Sequence, residues 1–407
     1  MRILVLNQYF RPDRSATSQL LTELCEDLAE RHDVFVVTGR PSYNAAHATG
    51  SRGLVSRERH GNVRVARVWS TTFDRAAGMP GRLTNYGTYL ASSIGGAFSV
   101  ARPDIVVALT DPPPVGLIGA VTAKARRVPF VLVVKDLFPE VAVHLGALRD
   151  PTAIAGLRAA RRMLLSAADR VISIGRDMDR RLLALGVPSE RIVTINDWSD
   201  GRVVRPLDRP STLRQRYGWT DRFVVMHSGN VGLSQDLGTV IAAADLLRDQ
   251  PDVVFAIVGE GASKAALQAD VASRGLSNVT FLPFQDRDDL CESLGAADVH
   301  LVGLQRGLAS AIVPSKVYGI MAAGKPYVAA VEAGAEPALI ADEHGCGVRV
   351  EPGDPRALAD ELIAMLDADL ETMGKRGRVA LETRFDRWYA ADRYERALLD
   401  AVATARR

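Results

Sequence analysis

Short hydrophobic runs alternate with amphipathic segments along the whole chain. The runs are rich in Val and Ile and are not interrupted by alternating polar residues, as in ILVL at 3–6, VVFAIV at 253–258 and YVAAV at 327–331. Runs of this kind are typical of parallel strands that helices cover on both faces. Two successive sets of them predict an α/β fold with two doubly wound, Rossmann-like parallel-sheet domains.

Polar, Pro and Gly residues interrupt this pattern over 196–218. We place the domain boundary there, with a first domain over 1–200 and a second over 201–386. The last segment, 387–407, predicts a long helix with no strand after it. This helix could cover the second domain or cross back to the first.

The composition is that of a globular protein, with 407 residues, 47% hydrophobic and 24% charged. No apolar stretch approaches the roughly 20 residues that span a bilayer. The first strand follows Met1 without the regions of a signal peptide. Cys25, Cys291 and Cys346 are far apart and lack metal-ligand spacing. We therefore expect a cytoplasmic protein without disulfides or a zinc site.

Charge is distributed unevenly between the two halves. Residues 1–200 carry 26 Lys and Arg against 19 Asp and Glu, whereas residues 201–407 carry 24 against 29. A basic half could face an anionic membrane, nucleic acid or a phosphate-bearing substrate, or it could be solvated surface. Segments 81–100 and 151–170 are amphipathic, and the second carries Arg158, Arg161 and Arg162. Both are either sheet-covering helices or membrane-surface helices.

The second half has two glycine turns between a strand and a helix. HSGNVGLSQDL places Gly229, Asn230 and Gln235 after one strand, and VGEG places Gly259 after the next. Backbone amides in such turns can meet a phosphate, and both amide side chains can donate hydrogen bonds. The chain lacks GxGxxG and GxxxxGK[ST], which disfavours a dinucleotide dehydrogenase or a P-loop ATPase.

The stretch AIVPSKVYGIMAAGKP, 311–326, predicts a helix that begins at Pro314 and is capped at Gly324. Ser315 and Lys316 would lie in its first turn, where amides are unsatisfied and the helix dipole is positive. This end is a candidate anion site. The alternative is a capping serine and a solvated lysine.

The first half offers charged residues at the ends of two strands. Lys135, Asp136 and Glu140 follow one of them. Arg11, Asp13, Arg14 and Ser15 follow the first strand of the chain. Such residues are often functional, although Asp136 could instead cap a helix. No Ser–His–Asp or HExxH pattern occurs, which disfavours a hydrolase triad or a metalloprotease.

Eight motifs in order resemble glycosyltransferase family 4, the retaining sugar-nucleotide enzymes of the GT-B fold. They are NQYFRPD, TGRPSY, LTDPPPVG, VVKDLFPE, GNVGLSQDL, VGEG, VPSKVYGIMAAGKP and the terminal helix. The sequence is most similar to the bacterial branch that builds O-antigen, capsule and exopolysaccharide, often described as fucosaminyl transferases.

This resemblance implies an interdomain cleft and a terminal helix that crosses back onto the first domain, held there by Trp388 and Tyr394. The second domain would bind the donor, expected to be a UDP-sugar, and the first domain the acceptor. Expected partners are a nucleotide sugar, a glycan or lipid-linked acceptor, and an anionic membrane surface, but no nucleic acid. Neither a cofactor nor a metal is expected.

The resemblance also implies roles for individual residues. For donor binding they are Gly229, Asn230, Gln235, Gly259, Glu260, Phe284, Arg306, Ala311, Ile312, Ser315 and Lys316. For acceptor binding they are Arg11, Arg14, Ser15 and Asp136, and the catalytic candidates are Asp136, Glu140 and Lys316.

The family carries two glutamates where this chain has Ala311 and Gly319. The second of these usually binds the ribose, so the sequence does not identify the residues that recognise the nucleotide. A natural-product glycosyltransferase and a non-catalytic sugar-nucleotide-binding protein remain alternatives, and a sugar-nucleotide epimerase is disfavoured by the motifs.

Overall fold

The computed structural model describes residues 1–13, 15–41, 53–73 and 78–406, and the chain divides into two compact units. Unit 1 comprises residues 1–143, 148–196 and 387–407, and unit 2 comprises 144–147 and 197–386. The main boundary thus lies after Asn196, within the interrupted segment. The predicted α/β fold with two parallel-sheet domains is confirmed, and each unit is described by itself.

Unit 1 contains an eight-stranded sheet in the order β3-β4-β2-β1-β5-β6-β7-β8. All neighbours are parallel except β3 and β4. Its strands are β1 Arg2–Leu6, β2 Asp33–Thr38, β3 Val55–His60, β4 Val63–Val68, β5 Ile105–Leu109, β6 Phe130–Val133, β7 Arg170–Ser173 and β8 Ile192–Thr194. The sequence pattern does not predict β3, because VSRERH is a polar edge strand without a hydrophobic run.

Helices surround this sheet, and the last one returns to unit 1. They are α1 Ala16–Leu28, α2 Gly78–Phe98, α3 Val115–Arg126, α4 Glu140–His144, α5 Pro151–Ala167, α6 Arg176–Ala184 and α15 Arg387–Ala405. Helix α15 packs on α1 and buries Tyr394 and Leu398. Trp388 is 58% exposed, so of the two aromatic residues expected to hold this helix only Tyr394 is buried.

Unit 2 contains a six-stranded, fully parallel sheet in the order β11-β10-β9-β12-β13-β14. Its strands are β9 Phe223–Ser228, β10 Val253–Val258, β11 Val279–Leu282, β12 Val299–Gly303, β13 Tyr327–Ala330 and β14 Gly347–Val350. Its helices are α7 Thr212–Arg216, α8 Leu237–Leu246, α9 Lys264–Arg274, α10 Leu290–Gly295, α11 Lys316–Ala322, α12 Glu336–His344, α13 Pro355–Ala364 and α14 Leu370–Ala380.

Both faces of the unit 2 sheet are buried, as β13 illustrates. Tyr327 and Ala329 join one hydrophobic core with residues of α11 and α12, while Val328 and Ala330 join another with residues of α8 and α13. Alternate strand residues point to opposite faces, so continuous hydrophobic runs are needed here. The carboxyl ends of the strands remain as the edge where polar loops can gather.

Candidate functional site

Strands β9 and β10 end in glycine turns that pack backbone to backbone. Gly229 and Gly259 have φ angles of 135° and 141°, a region that favours glycine. A Cβ at Gly259 would overlap the carbonyl oxygen of Gly229, and a Cβ at Gly261 would overlap that of Val231. The amide of Val231 donates to the carbonyl oxygen of Glu260 at 2.9 Å. Only glycine allows the two turns to approach so closely.

We expect Gly259→Ala to destabilise unit 2 by about 3 kcal/mol or more, since backbone strain and steric overlap would both contribute. Gly275→Ala is the matched control, because Gly275 also has a positive φ, of 64°, but faces open space. It should cost about 1 kcal/mol. Urea denaturation of both variants measures the difference. Equal losses would contradict the close approach of the two turns.

Helix α11 begins at Lys316, so the expected start at Pro314 is wrong. Ser315 occupies the N-cap position with φ −71° and ψ −15°, and its hydroxyl makes no capping hydrogen bond. The helical pattern starts where the amide of Tyr318 donates to the carbonyl oxygen of Ser315 at 3.2 Å. Val317, Ile320 and Met321 recur at helical spacing and are buried, so they form the face of α11 that packs in unit 2.

The side chain of Lys316 turns inward and meets the first glycine turn. Its Nζ donates to Oε1 of Gln235 at 2.7 Å and lies 3.3 Å from Nδ1 and 3.4 Å from Nε2 of His227. A Cβ at Gly229 would lie 3.9 Å from this Nζ. The structure thus brings together Gly229, Gln235 and Lys316, three of the residues expected to bind the donor.

Burial controls the charge of this cluster. It lowers the pKa of Lys316 from 10.5 to about 7. Burial, followed by the charge of Lys316, holds the pKa of His227 well below its usual range. The imidazole is therefore neutral at pH 7, while the amine is close to the midpoint of its titration. A bound anion would favour the protonated amine.

His227 is the residue of this cluster that the sequence motifs do not identify. It belongs to no catalytic pattern along the chain. Its position could have identified it as a site residue, because it lies on β9 one residue before the strand ends and two residues before Gly229. Because both faces of this sheet are covered, a side chain at this position is expected to be buried, and His227 is fully buried.

The other expected donor residues differ in accessibility. Asn230 is exposed, and Phe284 is 55% exposed. Glu260 is exposed and forms an ion pair with Lys264 at 2.7 Å. Ala311 is buried, and Ile312 is partly buried against the core of unit 2.

Arg306 contacts the loop that follows β14, the edge strand of the unit 2 sheet. Its guanidinium donates to Glu351 at 3.1 Å and to the carbonyl oxygen of Pro352 at 3.1 Å. Together with Asp236 and Asp354 it lines an open cavity of about 590 Å³. Binding of a donor phosphate by Arg306 would require its release from Glu351.

Unit 1 places the expected acceptor residues at the ends of β1 and β6. Asp136 is exposed, and its amide donates to Oγ1 of Thr110 at 3.4 Å. The hydroxyl of Ser15 caps α1 by accepting from the amide of Ser18 at 3.1 Å. The side chain of Arg11 is exposed, and Arg14 lies outside the described residues.

Glu140 is held by two arginines of α5. Arg158 donates to its Oε1 at 3.3 Å, and Arg161 donates to its Oε2. The side chain of Arg161 is only 11% exposed. These ion pairs give Glu140 a structural contact and neutralise part of the basic face that the sequence suggested, and its catalytic role stays a prediction.

Comparison with known proteins places both halves of the chain in the same class. Residues 16–198 match the family described as "Glycosyl transferase 4-like domain", and residues 211–380 match the one described as "Glycosyl transferases group 1". Within the described residues, no helix is both long and apolar enough to cross a membrane.

Two relatives match over most of their length. A Pseudomonas aeruginosa protein named as a probable glycosyltransferase, WbjE, is 30% identical over 72% of this chain and 74% of its own. An Escherichia coli K12 protein named as a putative colanic acid biosynthesis glycosyl transferase, WcaI, is 31% identical over 88% of this chain and 90% of its own.

The fold is also similar to that of solved structures. The crystal structure of HepE from Anabaena in complex with UDP gives a TM-score of 0.72 at 18% identity, over 98% of this chain and all of the other. The two family matches in order, the WcaI and WbjE relatives and the two parallel-sheet units agree. The chain belongs to the family-4 glycosyltransferases of the GT-B fold.

Proposed function

We propose that this glycosyltransferase moves a sugar from a UDP-sugar to a glycan or polyprenyl-linked acceptor in surface polysaccharide assembly. The sugar would be an N-acetylated or deoxy hexose, transferred with retention at the anomeric carbon. The observation that carries the proposal is the Lys316 amine, enclosed beside Gln235 and the glycine turn at Gly229. The relationship to WcaI supports the polysaccharide context.

A diphosphate fits this cluster chemically. The amine of Lys316 gains charge when an anion approaches, because the anion offsets the burial that disfavours the ammonium. The turn at Gly229 offers backbone without a side chain in the way. HepE, which shares the fold, was crystallised with UDP. These three points support a UDP diphosphate at Lys316.

In the reaction we propose, the bond between the anomeric carbon and the diphosphate oxygen breaks as the acceptor hydroxyl attacks the same face. The acceptor proton passes to the departing phosphate. Lys316 would stabilise the charge that develops on UDP, so no metal ion is required. Asp136, exposed after β6, would orient the acceptor. The ribose is not held by a carboxylate at Gly319.

Calorimetric titration with UDP, GDP and ADP tests the donor nucleotide, and UDP release from a panel of UDP-sugars with polyprenyl-diphosphate glycans tests transfer. We expect UDP to bind most tightly and one sugar to be transferred with retention, as read by NMR of the product. Transfer only to small soluble acceptors would indicate a natural-product enzyme. Binding without transfer to any acceptor would indicate a sugar-nucleotide-binding protein, and absence of UDP binding would overturn the proposal.

We also propose that unit 1 associates peripherally with an anionic membrane through α2 and its neighbours. On α2, Leu83, Ile94 and Phe98 share one face and are 60%, 51% and 40% exposed. The helix packs on α3, which packs on α5. Arg126 of α3 stacks on Phe98 at 5.2 Å, and Arg162 of α5 is exposed. Apolar and basic groups therefore occur together, as at a lipid interface.

Ile94→Glu should abolish binding to vesicles that contain anionic lipid, because it places a carboxylate in the apolar face of α2. Leu183→Glu on α6 is the matched control, since Leu183 is also exposed, at 47%. Vesicle sedimentation at low and high salt measures both, and each nearby Lys or Arg should contribute about 1 kcal/mol at low salt. Salt-insensitive or absent binding of the unaltered protein would favour a soluble acceptor.

A further inference from the structure

We propose that Gln235 and His227 are positioning residues that hold the Lys316 amine in place, and that Gln235 does not itself contact the ligand. The positioning role itself does not depend on the proposed function. Only the identity of the ligand as a diphosphate rests on it. It differs from the sequence-based expectation that Gln235 donates a hydrogen bond to a phosphate. The contacts in unit 2 support it as follows.

The backbone around Gln235 is locked against β12. A Cβ at Gly303 would overlap the carbonyl oxygen of Gln235, and the amide of Gln305 donates to the carbonyl oxygen of Ser234 at 2.9 Å. The next residue, Asp236, has a left-handed φ of 51° and accepts a hydrogen bond from the Thr239 hydroxyl at 2.8 Å. A non-glycine residue in this conformation costs free energy, which marks a constrained turn.

The orientation of the Gln235 amide follows from its two neighbours. Its Nε2 donates to Oγ of Ser234 at 3.3 Å, and its Oε1 accepts from Nζ of Lys316 at 2.7 Å. The reversed amide would place two donors against each other. Gln235 is 8% exposed, so its side chain is buried beside the amine of the half-buried lysine.

His227 supplies the second contact. Its Nε2 lies 3.3 Å from the carbonyl oxygen of Asn230 and donates to it, which leaves Nδ1 as an acceptor facing Nζ of Lys316. Because the imidazole is fully buried, it cannot swing away from the amine. The lysine is thus held from two sides by neutral groups.

The charges around the amine are few. Two buried histidines lie within range of its charge, His227 on β9 and His300 on β12, and burial together with the charge of Lys316 lowers the pKa of both. Among the described residues, no carboxylate forms an ion pair with Lys316. Gln235 is therefore the principal group that favours the charged amine in the free protein, until an anion arrives.

NMR of the full-length protein with isotope-labelled lysine tests the positioning role without any ligand. The chain has six lysines, so the ε-methylene signal of Lys316 can be assigned from its loss in Lys316→Met. We expect this signal to titrate near pH 7. Gln235→Leu should lower the midpoint by about one pH unit and Gln235→Glu should raise it. His227→Phe should lower it as well.

The half-buried Lys325 is an internal control whose signal should not move in these variants. Opposite shifts in the two Gln235 variants are not expected of a residue that only stabilises the fold. An ordinary lysine midpoint in the unaltered protein, or one that Gln235→Leu leaves unchanged, would overturn the proposal.

A double-mutant cycle with UDP tests whether Gln235 acts through Lys316. Gln235→Leu should weaken UDP binding about three- to tenfold in the unaltered background and less than about twofold in Lys316→Met. Equal effects in both backgrounds would show direct contact of Gln235 with the ligand and overturn the proposal. If the unaltered protein does not bind UDP, the proposed function fails, and the lysine titration still decides the positioning role.

Discussion

Lys316→Met is expected to weaken UDP binding by about 1.5–3 kcal/mol, or about 10- to 150-fold, because it removes a charge-assisted contact with the diphosphate. Titration calorimetry measures this loss. Lys325→Met is the matched control, since Lys325 is also half-buried and its pKa is also lowered by burial, but it lies beyond the end of α11. UDP affinity that is unchanged in Lys316→Met would contradict the donor site.

The same substitution should not destabilise the free protein. The pKa of Lys316 falls from 10.5 to about 7 on folding, so between these pH values the unfolded chain binds more protons than the folded one. The contribution of this lysine to the free energy of unfolding therefore rises from pH 7 to pH 10.5 and is least favourable at pH 7 and below. Lys316→Met lacks this dependence.

Thermal unfolding of both proteins at pH 7 and pH 9 checks the sign. The stability of Lys316→Met relative to the unaltered protein should be highest at pH 7 and decrease toward pH 9. A variant that melts well below the unaltered protein at pH 7 would contradict this result, and its loss of UDP binding would then reflect misfolding. A functional lysine that costs stability is a common compromise in enzymes.

The fold could be predicted because parallel strands buried on both faces must be continuously hydrophobic. A run such as VVFAIV in β10 is too short for a buried helix and too apolar for a strand with one face in water. The polar edge strand β3 carries no such constraint on its outer side, so its sequence, VSRERH, does not identify it. Pairing with β4 alone defines it as a strand.

The site could be predicted only in part, because sequence shows which residues lie near one strand end and not which side chains touch. Glycine turns and a family motif are enough to predict Gly229, Gln235 and Lys316. The contact of Lys316 with His227 depends on the placement of α11, which packs on β12 and thereby brings its first residue next to a side chain of β9. The pairing of Glu140 with Arg161 depends on α5, which brings in a residue 21 positions along the chain. Local spacing contains neither contact.

Arg387→Met is expected to destabilise unit 1 by about 3–5 kcal/mol, because it breaks an ion pair that is largely enclosed. Arg387 lies at the start of α15, and its guanidinium donates to both carboxylate oxygens of Asp27, at 2.9 and 2.8 Å, and to Glu26 at 2.9 Å. Its side chain is 14% exposed. Removal leaves two carboxylates of α1 without this partner.

Arg396→Met is the matched control, because Arg396 lies on the same helix and pairs with Asp392 at 2.8 Å but is 76% exposed. Its loss should cost less than about 1 kcal/mol. Hydrogen exchange of the amides in α1 and α15 measures the local stability of unit 1 in both variants. It does not require that the two units unfold in a single transition. We expect faster exchange in both helices only for Arg387→Met, and equal exchange in the two variants would contradict the role of this pair.

Deleting residues 387–407 should unfold unit 1 as well as abolish sugar transfer, which is more than the sequence alone suggests. The sequence-based expectation is that UDP binding persists while sugar transfer collapses, because the terminal helix joins the two domains. In the structure this helix also supplies buried Tyr394, Leu398 and Val402 to unit 1, so its removal exposes the face of α1 that it covers. UDP binding should persist, since Lys316 and Gln235 belong to unit 2. Transfer should be lost, because unit 1 unfolds. A truncated protein that transfers sugar at the full rate and keeps the amides of α1 protected from exchange would show that the helix is only a surface covering.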